Sequence, residues 1–323
     1  MILIVGGAGY IGSTVNKELN KQGFETLVLD DLSSGKAELV KWGKLVVGSL
    51  GDEKVLREIF TNNKIDTVMH FAAFKAVGES VLEPQKYYLN NVANTLTLLK
   101  VMREFTINQF IFSSSAAVYG AAQYTPIDEK HPLSPINPYG WNKLMVEQIL
   151  SDYDKAYDFK SVCFRYFNAV GADPESDTGE LPGSSANLLP LVLDAAIGRR
   201  ESVKMFGTDY ETPDGTCVRD YIHVNDLASA HISAIKYLNS GGKSDKFNLG
   251  NGKGYSVREV ISAAKEVTGV DFTVIEEGRR EGDSAVLVAD STKAKTILNW
   301  VPQFTDLKVI VETAWKWNLK LGK

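Results

Sequence analysis

Short apolar runs recur along the first half of the chain, separated by stretches whose apolar residues return every three or four positions. Ile2-Leu3-Ile4-Val5 is the first run, and Thr26–Leu29 is the second. Lys44–Val47, Thr67–His70 and Gln109–Ser113 read as further buried strands, each preceded by helical pattern. Strands covered on both faces show such continuous runs rather than alternation. Helical spacing fills the stretch before Gly23, then Tyr87–Glu104 and Tyr139–Tyr157, and Lys160–Tyr166 is one more strand. This βαβ rhythm predicts a parallel sheet with helices on both faces. Between Gly120 and Pro138 four prolines mark a surface loop.

From about Ala169 the pattern changes. Residues 171–185, rich in Asp, Pro, Gly and Ser, read as a long loop leading into a second lobe. Leu188–Gly198 is helical, Glu211–Thr216 is a loop, and Arg219–Val224 precedes a helix over Asn225–Leu238. Phe247–Gly250 is a short strand. Ser256-Val257-Arg258-Glu259 is a capping box for a helix ending near Gly269. A charged loop at residues 279–283 and a last helix over Leu307–Leu319 complete the chain. The predicted fold is α/β, a Rossmann-type doubly wound parallel sheet with a smaller mixed α/β C-terminal lobe. The expected division is 1–170 against a discontinuous 171–323, with a return of about 222–250 to the first domain.

Composition narrows the function. The 323 residues are 44% hydrophobic and 23% charged, as in soluble globular proteins. A net charge of −5 with no basic run speaks against nucleic-acid and membrane-surface roles. No apolar stretch approaches a membrane span or signal peptide, so a cytoplasmic protein is expected. Cys163 and Cys217 sit in apolar or β-like surroundings and read as buried thiols. The four histidines show no ligand spacing, which leaves no metal site, and no Gly-x-Ser-x-Gly hydrolase elbow exists.

The first strand runs into Gly6-Gly7-Ala8-Gly9-Tyr10-Ile11-Gly12, then a helix, a second strand and Asp30-Asp31. This is a complete dinucleotide-binding signature: glycines admit a pyrophosphate, and the helix N-terminus offers it free N–H groups. Asp30 is placed to accept ribose hydroxyls, and the paired carboxylates repel a 2′-phosphate, which favours NAD. In doubly wound sheets ligands bind beyond the carboxyl ends of strands. Phe71-Ala72-Ala73-Phe74-Lys75 and Ser113-Ser114-Ser115 end there, with Lys75 and one serine hydroxyl as ligand contacts and Asn90 as a further candidate.

Tyr139 and Lys143, four apart after Pro138, share a helix face. Tyrosine loses its proton near pH ~10. An ammonium ~5 Å away favours the phenolate by ~3 kcal/mol, so the pair is expected to supply a proton acceptor near neutrality. Arg219, Arg279 and Arg280 suit a diphosphate, although a solvated charged loop is the ordinary alternative.

These stretches together resemble the extended short-chain dehydrogenase/reductase superfamily and, within it, its UDP-glucose 4-epimerase branch. Residues 6–12 and 138–143 carry the first resemblance. Residues 70–80, 112–120, 165–168, 218–224 and 279–283 carry the second. The resemblance implies NAD held through the cycle, a UDP-sugar substrate and a homodimer through the helices near 87–104 and 139–157. It implies Tyr139 as the base on the sugar 4′-hydroxyl, Ser115 as hydrogen-bond partner and Lys143 on the nicotinamide ribose, tuning Tyr139. Gly6, Gly9, Tyr10, Ile11, Gly12, Asp30, Asp31, Ser34, Leu50, Phe71, Ala72, Lys75, Asn90 and Phe167, with Ser115, Tyr139 and Lys143, are implied for NAD. Asn168, Asn187, Leu188, Met205, Phe206, Arg219, Arg280, Asp283 and Leu287, with Ser115 and Tyr139, are implied for the UDP-sugar.

Three positions depart from the branch. Ser49 replaces a frequent aspartate near the adenine, Ala186 replaces an asparagine, and Leu287 is an intermediate size gate that leaves N-acetylated sugars open. Ala116 and Ala117 lack the acid and base that dehydratases place after the serine. The alternatives are a 4-epimerase of another UDP-sugar (N-acetylated, glucuronate or pentose) and a non-catalytic NAD sensor.

Overall fold

The structure, a computed structural model, describes residues 1–183, 187–280 and 282–322. In chain order come β1 (Ile2–Val5), α1 (Tyr10–Lys21), β2 (Thr26–Asp30), β3 (Lys44–Val47), α2 (Glu53–Asn62), β4 (Thr67–His70), α3 (Val77–Leu82), α4 (Pro84–Tyr88), α5 (Asn94–Glu104) and β5 (Gln109–Ser115). Then follow α6 (Pro138–Tyr157), β6 (Lys160–Tyr166), β7 (Asn168–Val170), α7 (Leu188–Ala196), β8 (Ser202–Phe206), β9 (Val218–His223) and α8 (Val224–Asn239). The chain ends with β10 (Asp245–Leu249), β11 (Gly254–Ser256), α9 (Val257–Thr268), β12 (Thr273–Glu277), β13 (Val286–Leu287), α10 (Thr292–Ile297) and α11 (Leu307–Leu321).

Seven parallel strands form the main sheet in the order β10-β6-β5-β4-β1-β2-β3. Successive side chains on each strand enter opposite cores, which is why the inner runs are apolar throughout. Ile2, Ile4, Val28, Met69 and Ile111 pack under α1 and α8, whereas Leu3, Val5, Leu29, Val68 and Phe110 pack under α2, α5 and α6. β3 departs from the expectation of a buried strand. It pairs β2 alone at the sheet edge, Val47 is 60% exposed, and the residues before it hold one 3₁₀ turn rather than a helix. β10 returns to pair with β6, and α8 covers α1.

The remaining residues build a smaller lobe. β9 is the centre of a second sheet with β7, β11 and β13, and β8 pairs with β12 in parallel. These pairs stand over a core shared with α7, α9 and α11. The capping box on α9 is formed, and Gly269 ends that helix in the left-handed conformation. Helical pattern over Tyr87–Glu104 resolves into α4 and α5 joined by a π turn at Leu89–Ala93. The wider turn directs Asn91 inward, where its side chain accepts from Phe74 N at 2.9 Å and donates to Phe74 O at 3.0 Å. Both cysteines are free and buried.

Candidate active site

Four strands of the main sheet deliver the residues predicted for a dinucleotide to one edge. Gly6 takes φ 81° with the Ala72 backbone directly against it, so no side chain fits at that crossing. It turns the chain into α1, whose cap residue Gly9 supplies no side-chain oxygen and whose first turn holds no carboxylate. No acidic group of that turn therefore competes with an anion at the positive end of the helix formed by Tyr10, Ile11 and Gly12. Asp30, at the end of β2, accepts from Ala8 N and Leu32 N, each at 2.9 Å. Burial raises its pKa, and these two bonds pull the other way. Asp31 and Ser34 are exposed beside it. Phe71 and Ala72 follow β4, half-buried, and Asn90 lies in the π turn. The glycine crossing, the anchored Asp30 and the uncapped helix fit a dinucleotide.

Two predicted contacts need correction. Leu50 lies inside the core under β3, and Met205 lies inside the core of the smaller lobe. Alternation along β8 turns Met205 inward and its neighbour Phe206 outward.

The last turn of β5 faces the start of α6. Asn137 caps α6, accepting from Gly140 N at 2.9 Å, and Pro138 opens it. An added Cβ on Gly140 would stand 2.6 Å from the Ala117 carbonyl oxygen, so this glycine lets α6 approach the turn after Ser115. Tyr139 is thereby held half-buried next to Ser115, and Ser115 Oγ accepts from Ala117 N at 3.2 Å. Lys143 is buried one turn along; its Nζ donates to Ser113 O at 2.7 Å and stands 5.8 Å from the Tyr139 ring centre.

The electrostatics differ from the expectation of a phenol made acidic by an ammonium. Burial raises the Tyr139 pKa, opposed by a hydrogen bond with Ser115. Burial also pushes the Lys143 ammonium down to about 7, against Glu147 and Cys163. The ammonium is thus only partly charged at neutrality, and burial outweighs what the protein's own groups contribute to the phenolate.

On the other wall, Arg219 donates to Val218 O at 2.9 Å and Ser284 O at 2.8 Å, and pairs with Asp283 at 3.3 Å. Arg280 stacks on Phe206, 3.8 Å from its ring centre. The charged loop thus splits: Arg279 turns away to Asp209 at 2.8 Å and to the Tyr210 ring, the ordinary fate of a surface arginine. Asn168 donates to Asp220 O at 2.9 Å. Leu287, opposite Arg219 in the sheet, packs against the buried cluster that holds Phe167 and Val118, as does Ala116 beside Ser115. Asn187 caps the start of α7, next to Leu188. Ala186 lies outside the described residues. Ser49 accepts from Gly51 N at 3.1 Å.

Sequence reasoning missed several partners. Lys75 reaches across the cleft to Glu180 at 2.8 Å, and Tyr10 donates to Gly171 O at 2.6 Å. Buried Lys17 lies between Asp173 at 2.5 Å, Glu175 at 2.8 Å and Asp177 at 3.0 Å, tying α1 to the loop that leads into the smaller lobe. Burial disfavours its charge, but the carboxylates outweigh that and raise its pKa. Glu147, four residues beyond Lys143, was visible as a continuation of the same spacing.

A profile of the NAD dependent epimerase/dehydratase family matches residues 2–250. The UDP-glucose 4-epimerase of Rhizobium leguminosarum bv. trifolii is 50% identical over 319 residues, spanning 99% of this chain and 97% of its own. The structure of UDP-glucose 4-epimerase from Brucella ovis in complex with NAD gives a TM-score of 0.95 at 44% identity, covering 98% of this chain and 97% of that one. UDP-glucose 4-epimerase from Bifidobacterium longum, solved with NAD+ and UDP, gives 0.92 at 40% identity, covering 99% of this chain and 98% of that one.

Proposed function

The chain belongs to the NAD dependent epimerase/dehydratase family, and on that premise we propose that it interconverts UDP-glucose and UDP-galactose by inverting C4 of the sugar. NAD, held at the glycine turn and Asp30, would supply a reversible hydride acceptor for C4 of the sugar, the chemistry that inversion at that carbon requires. The observation that carries the reading is the meeting of Ser115, Tyr139 and Lys143 at the sheet edge that holds the glycine turn and Asp30.

Tyr139 is the group that accepts the 4-hydroxyl proton and later returns it. Ser115 hydrogen-bonds the same oxygen and favours the charged phenol, and Lys143, fixed on Ser113 O, adds charge in the fraction of molecules where it is protonated. The turn at Gly6–Gly12, Asp30, Asp31, Ser34, Phe71, Ala72, Lys75, Asn90 and Phe167 hold the cofactor. Asn168, Asn187, Leu188, Phe206, Arg219, Arg280 and Asp283 hold the UDP portion, and Leu287 bounds the sugar. Firm nucleotide anchorage suits a reaction whose keto sugar must turn over while it stays bound.

The working division is a cofactor domain of residues 1–170 joined by 222–250, and a substrate lobe from the rest of 171–323. Among the described residues no helix is long and apolar enough to cross a membrane. We place the protein in the cytoplasm as a homodimer. Leu89 (54% exposed), Leu96 (39%), Trp141 (44%) and Met145 (40%) offer its apolar contact on α5, α6 and the π turn.

The test is purified protein with UDP-galactose and no added NAD. UDP-glucose should form without net NADH release; steady release would refute epimerisation. Tyr139→Phe should bind UDP-sugar yet turn over at least ~10²-fold more slowly, and near-normal turnover removes it as the base. A panel of UDP-N-acetylgalactosamine, UDP-glucuronate and UDP-xylose reads the breadth that Leu287 allows.

A further inference from the structure

Tyr139, Lys143 and Glu147 follow one another at four-residue spacing, which stacks them on one face of α6. Glu147 is 1% exposed, and its carboxylate joins three elements. Its Oε1 accepts from Ser114 Oγ at 2.5 Å and from Arg165 Nε at 3.0 Å, and its Oε2 accepts from Arg165 Nη2 at 2.6 Å. Arg165 continues to Tyr119 OH at 2.9 Å, which donates to Asn248 Oδ1 at 2.6 Å. Ser114 lies between the two residues that address the reaction: Ser113, whose carbonyl holds Lys143, and Ser115, which adjoins Tyr139.

We propose that Glu147 is a positioning residue for the epimerisation: its buried carboxylate fixes the Ser113–Ser115 strand end through Ser114 and supplies the negative charge that faces the Lys143 ammonium. The inference rests on the reading of Ser115, Tyr139 and Lys143 given above.

Stability alone does not account for the pair. Replacing a buried ion pair by apolar residues of similar size is often neutral or stabilising. The surroundings of Lys143 single out Glu147 as its counter-charge. From β4 it meets His70, which burial and Lys143 keep neutral, pushing it down to about 3. From β6 it meets Cys163, whose thiol burial pushes up, while Arg165 of the same strand is a cation bound to Glu147. From α6 it meets Tyr139, whose phenol burial pushes up and the Ser115 hydrogen bond pulls down. Glu147 is the anion in this set, and it opposes the burial that drives Lys143 toward neutrality.

Glu147→Gln and Arg165→Met separate positioning from simple pairing, because each breaks the same ion pair. The readout is the titration of Lys143 followed by side-chain NMR of isotope-labelled lysine, with kcat and KM for UDP-galactose across pH. In Glu147→Gln the Lys143 midpoint should fall by about one pH unit or more. Its kcat at neutral pH should drop about tenfold or more, recover toward lower pH, and leave KM within about twofold. In Arg165→Met the carboxylate keeps Ser114 and loses its competing cation, so the midpoint should rise, and kcat should fall less than in Glu147→Gln at every pH. Equal losses with an unmoved midpoint would show a structural pair and overturn the proposal. Should Glu147→Gln not fold, Arg165→Met decides alone: a midpoint that stays or falls overturns it. The Tyr139→Phe result tests the underlying reading separately, since the lysine titration does not depend on turnover.

Discussion

Gly140→Ala adds a single methyl at the point where α6 meets the turn after Ser115. Its Cβ would lie 2.6 Å from the Ala117 carbonyl oxygen and 3.1 Å from Pro135 Cβ. Real contacts of this kind begin between 3.0 and 3.4 Å, so α6 and the turn must part by about 0.4 to 0.8 Å. Alanine in a helix gains up to ~1 kcal/mol over glycine, and overpacking costs roughly 1–3 kcal/mol. Stability should therefore change by no more than about 2 kcal/mol. Activity responds more steeply, because a displacement of ~1 Å at reacting groups costs up to ~10²-fold. We expect kcat for conversion of UDP-galactose to fall about tenfold, measured with a coupled dehydrogenase beside a thermal melt. A variant with kcat within about twofold of the parent and an unchanged Tm would refute the argument that this close approach sets Tyr139 against Ser115.

Three further outcomes can be checked. Lys17→Met leaves Asp173 buried without its cation and should cost roughly 3–5 kcal/mol in urea unfolding, whereas Lys17→Met with Asp173→Leu should recover most of it. His231 is buried neutral between Tyr166 OH at 2.7 Å and Leu227 O at 2.8 Å, its pKa pushed down to about 4 by burial. The unfolded histidine titrates near ~6.5 and binds the extra proton in that window, so its contribution is present above pH ~6.5 and lost as pH falls through about 4. His231→Gln should therefore flatten the acid-side fall in stability, and an unchanged slope counts against the assignment. Leu89→Arg should run as a monomer in sedimentation where the parent runs as the proposed dimer, and an unaltered mass would move the proposed interface elsewhere.

Much of the parallel sheet was legible because its inner strands are apolar on both sides and each is punctuated by glycine, proline or a polar turn. β3 misled: its run is as apolar as the others, but pattern does not tell an edge from a centre. β8 and β12 were not read at all. Each is short and half polar, and each becomes a strand only by pairing with a partner about 70 residues away in sequence. Within the site, spacing placed Tyr139 and Lys143 on one helix face, since helix geometry is a local fact, and the resemblance singled out Ser115 from the serine run. The charge state of Lys143 was not legible, because it depends on how deeply the tertiary structure encloses it. Lys75–Glu180 and Lys17–Asp173 join residues more than 100 positions apart and leave no periodic trace.

The chain leaves the main sheet after β6 and threads through β7, β8 and β9 before laying down β10 on that strand's open side. An expression boundary placed after residue 170 would strip the sheet of an outer strand and uncover the flank of α1 that α8 occupies. Recombination at that point would carry nearly all of the smaller lobe together with β10 and α8 of the main sheet, rather than one whole lobe. Exchanging the smaller lobe alone would need junctions on both sides of the returning α8–β10 segment.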